Sequence, residues 1–278
     1  MKSTNNIPAL RRIWKACFEA DSGFLDLFFG EGFALCRTFV SEVDSRIVSS
    51  LSVFPVEFRG QKGGYVYGVC TDPAYRGHRY AISLLKETEE YCREEGMGFL
   101  ILRPASQSLF GYYRKLGYTF DIYRQQQILN LPAIPEEAII RHISGDSLHN
   151  LRNYFWGNSR SGVFQFSVEM CRYIVDYIKY CHGQAVSIMS HESILPADSY
   201  FTGYPDPENP EMIICEEAGI LPDLSNLPLL LSSVRHLYPN ALKLLLPLPP
   251  QKAKEEFMLC KIFKSSLDHR TLFSYTME

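Results

Sequence analysis

The sequence predicts a mixed α/β fold, an α+β arrangement on mixed sheets, laid out as two successive units of like order. Three observations predict it. From Gly64 to Leu102 a strand, a compact basic turn, a helix and a second strand follow one another, a crossover unit whose two strands must run parallel. The second half repeats the order of elements of the first without repeating its residues. Between the halves, Leu131-Pro132-Ala133-Ile134-Pro135 is the best linker in the chain. The expected division is 1–130, 131–264 and a tail, 265–278.

Leu10, Ile13, Trp14, Cys17 and Phe18 recur at helical spacing, and Phe24, Leu25, Leu27 and Phe28 mark a second short helix after Asp21. Thr38 to Glu42 and Arg46 to Phe58 read as antiparallel strands joined at the polar Val43-Asp44-Ser45, with Pro55 signalling an edge or a bulge. Gln61-Lys62-Gly63-Gly64 reads as the next turn. Gly64 to Thr71 is a β-branched and aromatic strand, stopped at Asp72-Pro73 because proline has no amide donor. Ala81, Leu84, Leu85, Thr88, Tyr91 and Cys92 then follow at helical spacing, ended by Gly96 and Gly98. Phe99 to Leu102 is a buried strand, Ser106 to Lys115 a short helix closed by Gly117, and Thr119 to Leu129 a strand expected to complete the first sheet.

The basic turn Tyr75-Arg76-Gly77-His78-Arg79 therefore sits at a helix N-terminus. Unpaired N–H groups and a partial positive charge make such a terminus an anion site, most naturally for phosphate, and Arg76, Arg79 and His78 add charge to it.

At these residues the chain resembles the acetyl-CoA core of the GNAT N-acetyltransferase superfamily. Its members carry a loop Arg/Gln-x-x-Gly-x-Gly/Ala opening a helix, and later an aromatic-Tyr-x-Lys-Leu-Gly-aromatic signature. Arg76-Gly77-His78-Arg79-Tyr80-Ala81 matches the first at Arg76 and Ala81 and carries Arg79 where the family has its central glycine; Tyr112-Tyr113-Arg114-Lys115-Leu116-Gly117-Tyr118 matches the second throughout. The match spans about Ile7 to Ile128.

The resemblance implies an acetyl-CoA-dependent N-acetyltransferase acting on a primary amine by direct transfer. Backbone groups of Gly77, His78, Arg79, Tyr80, Ala81 and Ile82 would hold the pyrophosphate, with Arg76 as the cation. Main-chain groups of Val69, Cys70 and Thr71, freed by a splayed strand, would receive the pantetheine arm and the thioester oxygen. Tyr113 would protonate the departing thiolate, and Ser106 would help hold the pantetheine or the thiol. The helical pair at the start would cover the acceptor entrance, its aromatics divided between core and pocket wall. Glu57, Asp72, Tyr67 or a water relay are the candidates for taking the amine's proton. Cys70 has no histidine placed by spacing to activate it as a nucleophile.

In the second half, Leu148 to Trp156 and Cys171 to Ile178 read as helices, Gln184 to Met189, Ser199 to Gly203 and Met212 to Cys215 as strands, then Leu227 to Leu237 as a helix. Leu242 to Leu246 is a strand, Lys252 to Glu256 a short helix and Met258 to Phe263 a final strand of this second unit. Its strand-to-helix loop, Leu221 to Asn226, has neither glycine nor cation, so this copy is expected to be structural or substrate-shaping. Tandem GNAT-like domains, the second degenerate, resemble the enhanced-intracellular-survival branch. That branch adds a sterol-carrier-like third domain and uses its terminal carboxylate as a base. Here only Lys264 to Glu278 follow the last expected strand, which argues against that role for Glu278.

Composition excludes other classes. A net charge of -3 argues against broad nucleic-acid binding, and no apolar run approaches the roughly 20 residues of a membrane span. Eight cysteines without a C-x-x-C pair read as reduced core residues, consistent with cytoplasm. Seven histidines give no metal motif, and His142 with His149 is too loose to form one. An acyl-CoA binder or scaffold without catalysis is the rival reading, motivated by Arg79 and the altered second half; oligomeric state is left open.

Overall fold

The computed structural model describes residues 2–157, 163–221, 223–248 and 255–263. These fall into two compact units, one of 2–122 with 256–263 and the other of the chain between. Glu278, the tail, Lys252 and Pro222 lie outside the described residues.

In the first unit, β1 (Lys2–Ser3) is followed by α1 (Ile7–Phe18) and α2 (Ser22–Gly30). Both helices begin where a side chain caps an orphan amide: Asn6 accepts from Ala9 N at 3.2 Å and Asp21 from Phe24 N at 3.0 Å. β2 (Arg37–Val43), β3 (Arg46–Phe58) and β4 (Gln61–Thr71) form an antiparallel meander. Its turns are Asp44-Ser45 and Arg59-Gly60, each with two positive φ angles, as tight hairpins of right-twisted strands require.

Gln61 to Gly64 is therefore strand, not turn. A Cβ on Gly63 would lie 2.3 Å from the Phe99 ring, and one on Gly64 2.6 Å from Val53, so those glycines serve close packing. Pro55 lies outside the bulge, on a stretch of β3 whose β2 side is a locally open edge, as its sequence signal suggests. The β2 pairing ends at Arg37↔Val53, so on that side proline's missing N–H has no ladder to break.

Beyond β4 come α3 (Tyr80–Glu94), β5 (Phe99–Leu102) and α4 (Gln107–Lys115). β5 pairs with β4 in parallel, as the crossover requires. β6 (Phe120–Asn130), β7 (Ile139–His142), α5 (Gly145–Arg152), α6 (Val168–Tyr180), β8 (Gln184–Met189), β9 (Ser199–Pro205), β10 (Met212–Ala218), α7 (Leu227–Leu237), β11 (Lys243–Leu248) and β12 (Glu255–Ile262) follow.

Element for element, β7-α5-α6-β8-β9-β10-α7-β11 retraces β1-α1-α2-β2-β3-β4-α3-β5. The closing strands are exchanged. β6, expected in the first sheet, pairs antiparallel with β11, Leu244↔Leu129, while β12, expected in the second, pairs antiparallel with β5, Cys260↔Ile101. Glu255 and Glu256, expected to end a short helix, open β12 instead. The exchange is fixed by side chains: Leu259 is fully buried in the first unit's core with Leu84, Leu100, Leu102 and Tyr113, and Leu129 packs on the second core.

Candidate active site

The site is set by where β4 stops having a neighbour. Its parallel pairing with β5 ends at Val66↔Leu102, yet β4 runs on to Thr71. Against β3 the register gains a residue, Ser52↔Tyr67 but Ser50↔Cys70, a bulge on β4. Gly68 occupies it with φ +63, and a Cβ there would lie 2.5 Å from Trp14. Both the backbone angle and the indole select glycine. An isolated glycine within a strand pattern was the available signal for this bulge.

The loop after β4 is held from within. Asp72 accepts from Ala74 N at 3.1 Å and pairs with Arg46 at 2.9 Å. Burial works to raise its carboxyl, but the Arg46 hydrogen bond, the Ala74 amide and the Arg46 charge outweigh it and leave the group below its ordinary value. A short 3-10 turn, Pro73–Tyr75, leads to Arg76, whose Nε donates to Thr71 O at 3.3 Å. His78 Nδ1 lies 3.1 Å from Arg76 O and its ring stacks on Tyr80, so His78 braces the loop.

Gly77 takes φ +85, and Arg79, immediately before α3, takes φ 61 and ψ 17. The arginine thus keeps the left-handed backbone of the glycine it replaces, rather than an ordinary helical one, at a strain of about 1 kcal/mol. Its side chain is exposed, as is that of Arg76, and among the described residues neither pairs with a carboxylate.

Around this turn lies a pocket of about 260 Å³ lined by Thr71, Arg76, Gly77, Arg79, Tyr80, Ala81, Ile82, Tyr75 and Tyr112. Ser83 N is the first α3 amide bonded back along the helix, to Arg79 O at 3.0 Å. The amides before it belong to the first turn, where no intrahelical acceptor exists. No acidic residue occupies that turn to compete for an anion.

Of the other expected residues, Val69 packs against the core cluster that contains Tyr113. Cys70 is buried, with its thiol 3.1 Å from Ser50 Oγ. Ser106 caps α4 in position only; its hydroxyl meets Ser108 at 2.9 Å. Tyr113 is 7% exposed, its ring edge-on to Tyr112 at 5.1 Å and to Tyr118 at 6.1 Å. Burial, with a smaller contribution from Tyr112, pushes its phenol up to about 12. Tyr112, the opening aromatic of that signature, lines the pocket, and Tyr113 does not.

Register removes one base candidate, Glu57, and burial keeps a second, Tyr67, protonated. Glu57 pairs with Lys62, nine residues from Thr71 and so about 30 Å away along β4. Tyr67 is raised to about 12 by burial, against Arg103's pull, and remains a phenol at neutral pH. It belongs to an aromatic cluster: Trp14 lies 4.3 Å from Phe28, 5.3 Å from Phe29 and 5.9 Å from Tyr67. Helical spacing marks Trp14 and Phe28 as apolar faces, and Trp14 packs directly on the Gly68 bulge.

The corresponding region of the second unit differs in charge: a cavity of about 390 Å³ lies at the start of α7, beside Asp198, Leu221, Ser225, Asn226 and Pro228, and among the described residues neither lysine nor arginine lines it. β10 carries a bulge at the same place, between Cys215 and Glu217. There Glu217 accepts from both Arg152 and Tyr200, and Arg152, 1% exposed, also donates to Phe164 O at 2.6 Å. The loop before α7 is tied by Asn226, whose side chain bonds Leu221 N, Asp198 O and Gly219 O.

A mixed sheet splayed beside a helix N-terminus, its element order repeated in a second unit whose corresponding cavity has no cation, defines the class: a tandem of two like α/β units. The family described as Acetyltransferase (GNAT) domain matches residues 3–120, within the first unit. A search of curated proteins returns no match.

Among solved structures, a probable N-acyltransferase of Enterococcus faecalis V583 superposes with TM-score 0.73 at 14% identity, covering 94% of this chain and 72% of that one. Eis1 of Mycobacterium abscessus gives 0.63 at 10%, covering 95% and 72%. A tandem GNAT protein of the clavulanic acid biosynthesis pathway gives 0.56 at 11%, covering 94% and 97%. These likenesses establish the fold, and the family supports an acyltransferase. Among the described residues no helix is long and apolar enough to cross a membrane.

Proposed function

We propose that the protein moves an acetyl group from acetyl-CoA to a primary amine by direct attack. The observation that carries this reading is the pocket at the start of α3. There unpaired first-turn amides, two exposed guanidinium groups and a left-handed turn converge with no carboxylate in the way. That is the chemistry a diphosphate asks for. From it the pantetheine arm would run along the unpaired end of β4, past Val69, Cys70 and Thr71, and place the thioester beside the bulge.

Tyr113 is the proposed acid. Its phenol stays protonated at neutral pH and faces the same core cluster as Val69, so it can deliver a proton to the departing thiolate. Ser106, at the head of α4, would help hold the pantetheine or the thiol. Asp72, engaged by Arg46, is a poor base, which favours a water relay for the amine's proton. Eight free thiols, five of them buried, favour the cytoplasm.

The test is amine-dependent CoA release across a panel of small amines, peptides and lysine-bearing proteins. Tyr113→Phe should lower turnover about 100-fold or more while leaving the thermal shift with acetyl-CoA intact. An unchanged rate removes Tyr113 from the chemistry, and a thermal shift without CoA release from any amine supports the silent binder.

A further inference from the structure

The second unit holds a cavity that the acyl-transfer chemistry does not use. It opens at the start of α7 and encloses about 390 Å³, within the range of small-ligand pockets. Tyr154, Phe155, Leu195 and Leu221 give it an apolar wall, Asp198 and Glu136 supply its charge, and among the described residues it has no cationic lining. Tyr154, Leu195 and Leu221 are 46%, 46% and 38% exposed, so the chain leaves apolar surface here for a ligand to cover.

The carboxylates set the sign of that ligand. Asp198 Oδ2 accepts from Ser190 N at 2.6 Å and Ser190 Oγ at 2.9 Å, and Oδ1 accepts from Ser193 Oγ at 2.7 Å. Burial works to raise this carboxyl, but the Ser190 amide and the two serine hydroxyls outweigh it and hold it below its ordinary value, charged at neutral pH. Three of a carboxylate's roughly four acceptor positions are thus filled, and no cation among the described residues pairs with it. The helix terminus offers an anion little in return. Pro228 has no N–H, and Leu227 N and Leu230 N are already bonded, to Leu224 O at 3.0 Å and Asn226 O at 3.1 Å.

We propose that this cavity binds an organic cation with an apolar body, its ammonium held by Asp198 and Glu136 and its body laid on Tyr154, Phe155, Leu195 and Leu221. With most of the Asp198 acceptor positions filled, the site suits a diffuse charge that asks for few hydrogen bonds, an alkylated ammonium on an aromatic group. Tyr154 and Phe155 meet at 88° with ring centroids 5.2 Å apart, a corner of aromatic surface that attracts such a charge. The site does not depend on the acyltransferase reading.

Benzyltrimethylammonium is the probe, because it carries the charge and the ring and has no amine hydrogen to be replaced by an acetyl group. Titrated into the whole chain at pH 7 in a calorimeter, it should bind at one site, more weakly as salt is raised, while benzyl alcohol and benzoate bind about tenfold more weakly or not at all. Leu195→Lys puts a cation into the cavity at an exposed position; it should keep the wild-type melting temperature and weaken the probe about tenfold. Glu136→Gln, also exposed, should weaken it about threefold. Asp198→Asn should weaken it about tenfold, and because that change also touches the serine bonds, the two exposed variants decide the location.

No heat at millimolar probe, benzyl alcohol or benzoate bound as tightly as the cation, or an unchanged affinity in Leu195→Lys would each overturn the proposal.

Discussion

Arg79 carries the clearest cost of any single residue in the site. A branched Cα at φ 61 is strained where glycine would be relaxed. Arg79→Gly should therefore raise stability by up to about 1 kcal/mol, or about 2–4 °C in Tm, if the loop keeps its shape; a fall in Tm would show that the arginine side chain contributes more than its backbone costs. Tyr113 and Tyr67 add a pH dependence. Both are held up at about 12, against an ordinary value of 10, mainly by burial. Between those values the folded chain binds more protons than the unfolded one, so the stability they contribute is complete below pH 10 and is lost as pH rises toward 12. Urea midpoints should fall between pH 9 and pH 11, and an unchanged midpoint would contradict the burial. For the same reason the rate of acetyl transfer should have no alkaline limb from Tyr113 below pH 10.

Among the elements, β12 is the one whose sequence position misleads. It lies at the end of the second repeat but completes the first sheet, with Leu259 fully buried beside Tyr113. Leu259→Ala should cost about 2–5 kcal/mol and raise hydrogen exchange in β4 and β5 first. Loss of protection confined to β9 and β10 would contradict the exchange. Most helices and strands were legible because their signals are local: apolar spacing in α1 and α3, the Asp21 cap of α2, and the motif around Tyr113. The exchanged strands were not legible, since β6 and β12 have the same alternation whichever sheet takes them and only long-range packing decides. Gly63 and Gly64 were misread for a related reason, because a glycine chosen for a neighbour's ring looks the same in sequence as one chosen for a turn. The Gly68 bulge and its contact with Trp14 depend on how α1, β3 and β4 pack together, which no single stretch encodes.

At the scale of the whole molecule, one architecture is used twice with opposite outcomes. The first unit leaves the strand end beside its bulge without a parallel neighbour and puts cations at the following helix; the second fills the same bulge with Glu217, Arg152 and Tyr200 and ties its loop with Asn226. A buried carboxylate at the bulge and a loop that carries Asp223 but no cation give a diphosphate no positive partner. The central claim is thus that the chain holds a single acetyl-CoA, at the start of α3. Isothermal titration calorimetry tests it most directly. One equivalent of acetyl-CoA per chain should bind, and Arg76→Gln should weaken it about tenfold, the loss of one charge-assisted hydrogen bond. Two equivalents, or no heat at millimolar ligand, would contradict the account.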